Sequence, residues 1–331
     1  PNQFYLYRLT MNGRSQTGIA ATFSVDDYDN NIILKHEKTR KVKEDDRTNH
    51  IITSGAQTGI VFLTYRGVEA INKFVEHTLT HDEPLYDFTA PDGVRHEVWI
   101  VKEHDDETII EEIRKVKNLY IADGHHRAAS ASRARAFMRD NNPAHRGSED
   151  YNYFIAVLFP AEQLQILPYN RIVYDLNGKT SEQYLAEVQK NFIISENPLK
   201  SPAKPRDISM YFEGKWYGLN LKPEFFEGDK IIGAESVGDN LDVSILQNFL
   251  LHPVLGIDDQ RTSKRVDFVG GIRGTAELEK LVDSGKAAVA FSLYPVSLDS
   301  LMDISDAGEI MPPKSTWFEP KLRDGLLLHL I

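Results

Sequence analysis

The chain has no cysteine, which excludes disulfides, zinc-thiolate and iron-sulfur sites, and thiol nucleophiles. It also lacks any apolar run near the ~20 residues a membrane helix needs. Pro1-Asn2-Gln3-Phe4 has neither the basic nor the apolar region of a signal peptide, so a cytoplasmic location with no membrane partner is expected. Positive charge is short as well: 38 Lys and Arg stand against 49 Asp and Glu, a net charge of -11. Holding nucleic acid or an anionic membrane needs a broad positive field, so neither is expected to be the main work here. The numbering starts without a methionine and enters a strand pattern almost at once, so a natural N-terminal portion is expected to be missing. What is present is ordinary: 331 residues, 41% hydrophobic and 26% charged, enough for a full core and two lobes.

Local pattern predicts mixed elements. Gln3 to Met11 and Thr17 to Val25 read as a hairpin turning at Asn12-Gly13. Ile60–Tyr65, Val94–Lys102, Asn118–Ala122 and Tyr153–Phe159 read as strands, with helices over Val68–Leu79, Glu107–Lys117 and Ala128–Met138. A linker over Pro160–Pro168 leads to a helix at Ser181–Phe192 and a hairpin over Ile208–Leu221 turning at Glu213-Gly214. Helices over Val243–Leu251 and Ala276–Ser284 and strands over Arg265–Val269 and Ala287–Leu293 complete the reading. Hairpins mixed with helices predict a mixed α+β or α/β fold rather than a regular doubly wound sheet. The expected division is a phosphate-binding domain over 1–168 and a second α/β lobe over 169–331.

The segment richest in chemistry is Asp123-Gly124-His125-His126-Arg127, at a strand-to-helix turn. Glycine lets the backbone come close to a ligand, and the amides and dipole at a helix start favour an anion. Arg127 adds bidentate hydrogen bonding to phosphate oxygens, and His125 and His126 can supply protons or orient a ligand. A second segment runs from His36-Glu37 through Arg40, Lys43, Asp46 and Arg47. If it is helical, His36, Arg40, Lys43 and Arg47 share one face at ~100° per residue; a solvated helix face has the same pattern. Glu37 and Asp46, carboxylates beside cations, suit a general base or a metal ligand.

A third segment, Met311-Pro312-Pro313-Lys314-Ser315-Thr316, is not a Walker loop, because the glycines are missing and proline offers no amide donor. A rigid turn presenting Lys314, Ser315 and Thr316 to a ligand and a purely structural turn both fit. Gly270-Gly271-Ile272-Arg273-Gly274 departs from the dinucleotide fingerprint, and no organic cofactor is expected. His81, His96, His104, His145 and His252 show no paired metal-ligand spacing.

Together, Ser24–Tyr28, Lys35–Arg40, Lys43–Arg47, Asp123–Arg127 and Met311–Lys321 resemble a bacterial and archaeal family catalogued as a domain of unknown function. The resemblance covers nearly the whole chain, apart from an N-terminal Pro-Pro-Tyr-Asp motif not found here. Gly124-His125-His126-Arg127 is also similar to the nucleotide-binding turn of the ParB and sulfiredoxin superfamily, which includes free-serine kinases. That resemblance implies a ParB/sulfiredoxin-like nucleotide-binding core and phosphoryl transfer involving serine or phosphoserine, with a nucleotide or pyrophosphate partner. On this reading Gly124, Arg127 and His126 bind phosphate, magnesium offsets its charge, Asp46 and Asp123 serve as metal ligands, and Glu37 or His36 takes the acceptor's proton. A metal-dependent phosphohydrolase with Asp123, His125 and His126 as ligands is the alternative enzyme. A non-catalytic nucleotide-binding or DNA-partitioning protein is the alternative outside enzymes. Sulfiredoxin-type reduction is excluded for want of a cysteine.

Overall fold

A computed structural model describes residues 3–102 and 106–331; His104 lies outside the described residues. The chain forms two compact units, 1–165 with 320–331, and 166–319. The final dozen residues, expected in the second lobe, therefore return to the first.

In the first unit the elements run β1 (Tyr5–Met11), β2 (Arg14–Ser24), α1 (Val25–Asp29), β3 (Ile33–Leu34), α2 (Lys41–Ser54), β4 (Ala56–Gln57), β5 (Val61–Tyr65) and α3 (Glu69–His81). They continue as β6 (Tyr86–Thr89), β7 (Arg95–Ile100), α4 (Asp106–Arg114), β8 (Leu119–Asp123), α5 (His125–Asp140) and β9 (Tyr153–Pro160). Among the described residues, eight of these strands form one sheet in the order β3-β8-β5-β9-β2-β1-β7-β6. β3 runs parallel to β8 and β5 parallel to β9, while the other pairings are antiparallel. Asn12 (φ 52°) and Gly13 (φ 77°) both sit in the left-handed region, which a two-residue hairpin turn demands, and the register there is Met11↔Arg14.

Leu6, Ile19, Leu63, Ile121 and Leu158 of this sheet pack in one apolar cluster with Ile71 and Val75 of α3 and Ala128 and Ala131 of α5. The alanines favour helix and let α5 lie close to the strands. α2, by contrast, buries only Thr48 and Ile51. It is tied to α5 by polar contacts instead: Ser130 Oγ donates to the Glu44 carbonyl (3.2 Å), and Arg133 pairs with Glu44 and Asp45. That explains a helix without an apolar face in its sequence.

The second unit holds β10 (Ile166–Leu167), β11 (Tyr169–Val173), α6 (Ser181–Asn191), β12 (Phe192–Glu196), β13 (Ile208–Phe212), β14 (Lys215–Leu221), β15 (Phe226–Glu227) and β16 (Lys230–Ile231). After these come α7 (Asp242–Leu246), which runs into a π-helical turn at Gln247–Leu251, then β17 (Val266–Gly270), α8 (Gly274–Asp283), β18 (Val289–Leu293), α9 (Leu298–Asp306) and β19 (Trp317–Phe318). Among the described residues its main sheet is antiparallel, in the order β12-β14-β13-β18-β11-β17. Thr180 opens α6 with a reciprocal capping box through Gln183. Back in the first unit, β20 (His329–Leu330) pairs with β4. The mixed α+β expectation matches these elements. Among the described residues, no helix is long and apolar enough to cross a membrane.

Candidate functional site

β8 ends on Asp123, and the chain turns at Gly124 (φ 99°, ψ 24°) directly into α5. Only glycine adopts that conformation without strain. The Gly124 carbonyl accepts the amides of Arg127 (2.8 Å) and Ala128 (3.1 Å), so the helix closes its first turn at once. The helix has no side-chain cap and no acidic residue in its first turn, so its positive end is not answered from within.

The Arg127 side chain folds back over this turn. A β-carbon on Gly124 would lie 2.9 Å from Arg127 Nε, and one on Gly59 would lie 3.0 Å from Arg127 Cδ. Two glycines therefore make the seat in which the arginine rests. From it, Arg127 reaches Asp324 (3.4 Å) and Asp123 (3.9 Å). Asp123 also accepts from Lys321 Nζ at 2.9 Å. Burial raises the Asp123 carboxyl pKa, but Lys321 and Arg127 outweigh that and hold it below the ordinary range.

The two histidines face the loop before α2. His125 Nε2 accepts the His36 amide (3.4 Å), and His126 Nε2 accepts the Arg40 amide (3.0 Å). Both rings thus pin the 36–40 backbone. Burial keeps the His125 pKa well below its ordinary value, with His36 adding to the effect, so the neutral ring carries its proton on Nδ1. That atom is 3.9 Å from Glu37 Oε2. The His36 ring stands edge-on to His125, 4.4 Å between centroids, and among the described residues neither ring nitrogen has a hydrogen-bond partner. Burial pushes its pKa down to about 4.

The structure thus brings together His36, Glu37, the Arg40 backbone, Asp123, Gly124, His125, His126 and Arg127, and it corrects several expectations. The basic stripe does not exist as a helical face, because α2 starts at Lys41 and Arg40 is extended (φ -105°, ψ 126°). His36 is buried rather than aligned with Lys43 and Arg47, and it is a poor proton acceptor near neutral pH. Lys43, Asp46 and Arg47 lie exposed on α2, whose Glu44 and Asp45 are the residues that meet α5.

Among the described residues, no group of three His, Asp or Glu could hold a metal ion. Asp123 is engaged by Lys321, and both histidines turn Nε2 to backbone amides, which does not fit Asp123, His125 and His126 as a metal triad. Nor does Asp46, exposed on α2, make a resident magnesium site with Asp123.

Lys314, Ser315 and Thr316 belong to the second unit. There Lys314 is left-handed (φ 57°) with its ammonium 5.7 Å from the Tyr169 ring centroid. Ser315 is buried and donates its hydroxyl to the Pro312 carbonyl (2.7 Å), so it closes the turn instead of presenting itself to a ligand. Sequence reasoning missed Gly59, Lys321 and Asp324. Lys321 ends one of the quoted motifs, but nothing local ties it to a turn 198 positions away.

A family described as a protein of unknown function, DUF1015, matches residues 1–244. The chain belongs to the DUF1015 family. No curated protein matches it. Among solved structures, this DUF1015 chain is similar to a free serine kinase in complex with AMP, at 11% identity and a TM-score of 0.42, covering 90% of this chain and 86% of that one. It is similar to a conserved hypothetical protein from Pyrococcus furiosus at 15% identity and a TM-score of 0.41, covering 92% and 93%. SbnI from Staphylococcus aureus, with a C-terminal truncation, is similar at 12% identity and a TM-score of 0.47, covering 94% and 87%.

Proposed function

We propose that the chain is a small-molecule phosphotransferase that holds a phosphate at the mouth of α5. The observation that carries this reading is the Arg127 seat: an arginine lodged between Gly59 and Gly124, beside a helix start without a side-chain cap. A planar guanidinium at the positive end of a helix suits phosphate oxygens more than any neutral ligand. Glu37 is the proton acceptor in this proposal. It is the partly exposed carboxylate of a loop that His125 and His126 hold in place, whereas His36 is buried and already neutral. Most of the catalysis would come from positioning and charge, as is usual for phosphoryl transfer.

The finer parts rest on the motif resemblance: a ParB/sulfiredoxin-like first unit, free serine or phosphoserine as one reactant, and a nucleotide or pyrophosphate as the other. Magnesium enters as an ion carried by the ligand's phosphates, since Asp46 and Asp123 do not form a resident site.

The test is a thermal-shift screen of the full chain with ADP, ATP, pyrophosphate, serine and phosphoserine, each with and without magnesium, followed by a transfer assay on Glu37→Gln. A ligand at 100 times its Kd stabilises by about 2.7 kcal/mol. The expected result is a shift with a phosphate compound, and a Glu37→Gln variant that keeps the shift but loses transfer by about 100-fold or more. No shift with any phosphate compound would remove the reading, and full transfer by Glu37→Gln would remove Glu37 from it.

A further inference from the structure

The C-terminal segment 320–331 makes two very different ion pairs with the turn at Gly124. Lys321 donates to Asp123 at 2.9 Å, a normal hydrogen-bond length, with side chains 44% and 36% exposed. Asp324 meets Arg127 through one nitrogen at 3.4 Å, with its side chain 68% exposed. The segment is fastened on both sides of Asp324 by other bonds. The Arg323 amide donates to the Tyr7 hydroxyl (3.3 Å), the Gly325 amide to the Thr58 carbonyl (2.9 Å) and the Ile331 amide to the Gly55 carbonyl (3.0 Å).

Arg127 packs over Gly59 and Gly124, a seat separate from its contact with Asp324. With Asp324 in place, two cations face two carboxylates; without it, the cluster has an excess positive charge and a free edge of guanidinium. We propose that Asp324 is an internal competitor that occupies Arg127 until a phosphoryl or pyrophosphoryl anion displaces it. This rests on the phosphate reading above and adds a gating residue to it.

A long, exposed, single-contact pair is weak, whereas a phosphate offers several oxygens to the same guanidinium and to Lys321. An internal competitor lowers the apparent affinity of every anion by one common factor, the fraction of molecules in which Arg127 is free. Ligands with several charges overcome that factor, and single carboxylates in the surrounding solution do not.

The test is titration of the full chain with inorganic pyrophosphate and with inorganic phosphate, in the unmodified protein, Asp324→Asn and Arg127→Ala. Asp324→Asn is expected to lower both Kd values together by about two- to fivefold, the factor a weak exposed pair can impose. Arg127→Ala is expected to weaken binding of both by about 100-fold or more. Hydrogen exchange supplies a readout that an ordinary structural pair would not move: saturating pyrophosphate should speed exchange of the Arg323 and Gly325 amides while the Ile331 amide stays protected. An unchanged or raised Kd in Asp324→Asn, or slower exchange at Gly325 on binding, would show that Asp324 merely orients Arg127 and would overturn the proposal. Pyrophosphate binding undiminished by Arg127→Ala would instead overturn the phosphate site itself, so the two failures are separable.

Discussion

Each unit contains one arginine and one aspartate in an unusual setting, and the pairs contrast. Arg127 and Asp123 in the first unit are partly exposed and answer each other and further charges, Asp324 and Lys321. Arg171 in the second unit is completely buried, and among the described residues only neutral oxygens accept from it: Gln260 Oε1 at 3.1 Å, the Pro313 carbonyl at 3.1 Å and the Tyr169 carbonyl. Burial pushes its pKa down to about 9. Asp242, also buried, has one oxygen bonded to the Arg206 amide (2.8 Å) and, among the described residues, the other without a partner. Burial pushes its pKa up to about 7. The charges of the proposed phosphate site stay near solvent with exchangeable partners, whereas Arg171 and Asp242 are sealed against backbone and amide groups. The second unit's proline-rich loop falls on the structural side, since Arg171 holds it by the Pro313 carbonyl.

The largest effect that sharpens this contrast is on stability. Arg171→Ala should destabilise the chain by about 2–5 kcal/mol, because it opens a cavity and strands the acceptors of three hydrogen bonds. Arg171→Met, which keeps volume and removes a buried charge, should cost clearly less. Urea denaturation measures both, and equal losses would mean that the charge itself matters.

Asp242 gives the next effect, and its sign follows from its raised pKa. The folded chain keeps the proton up to about pH 7, whereas the unfolded chain releases it near the ordinary aspartate value of 3.8. The unfolded state thus binds fewer protons between those values, so Asp242 makes stability fall as pH rises from about 4 to about 7, and level off above. Asp242→Asn keeps the acceptor for the Arg206 amide and should remove this decline, gaining roughly 1–3 kcal/mol at pH 8 relative to the unmodified chain. Parallel stability-pH curves for the two proteins would contradict the assignment.

What was readable beforehand depended on whether the deciding interaction was local. Asn12-Gly13, Glu213-Gly214 and the Asp123-Gly124 strand-to-helix turn are short-range devices, and each lies where pattern placed it. β11 was hidden because Asn170 and Arg171, both buried, interrupt its apolar alternation. α9 received no assignment from pattern, since its serines and aspartates disfavour a helix interior, although Ser297 caps it by accepting the Ser300 amide. The sequence leaves 36–40 open to a helical reading, and the stretch is instead a loop whose His36 and Arg40 amides donate to histidines nearly 90 positions later. Lys321 and Asp324 were invisible for the same reason at greater distance. At the candidate site, residue types were legible and their partners were not.

The central claim is that Arg127 holds a phosphate without holding the fold. Calorimetric titration of pyrophosphate into the unmodified chain and into Arg127→Ala, with a urea unfolding curve for each, tests it most directly. The account predicts that Arg127→Ala weakens binding by about 100-fold or more, the loss of charged hydrogen bonds of about 1.5–3 kcal/mol each, while unfolding stability moves by no more than about 1 kcal/mol. Undiminished pyrophosphate binding in a stably folded Arg127→Ala chain would contradict it.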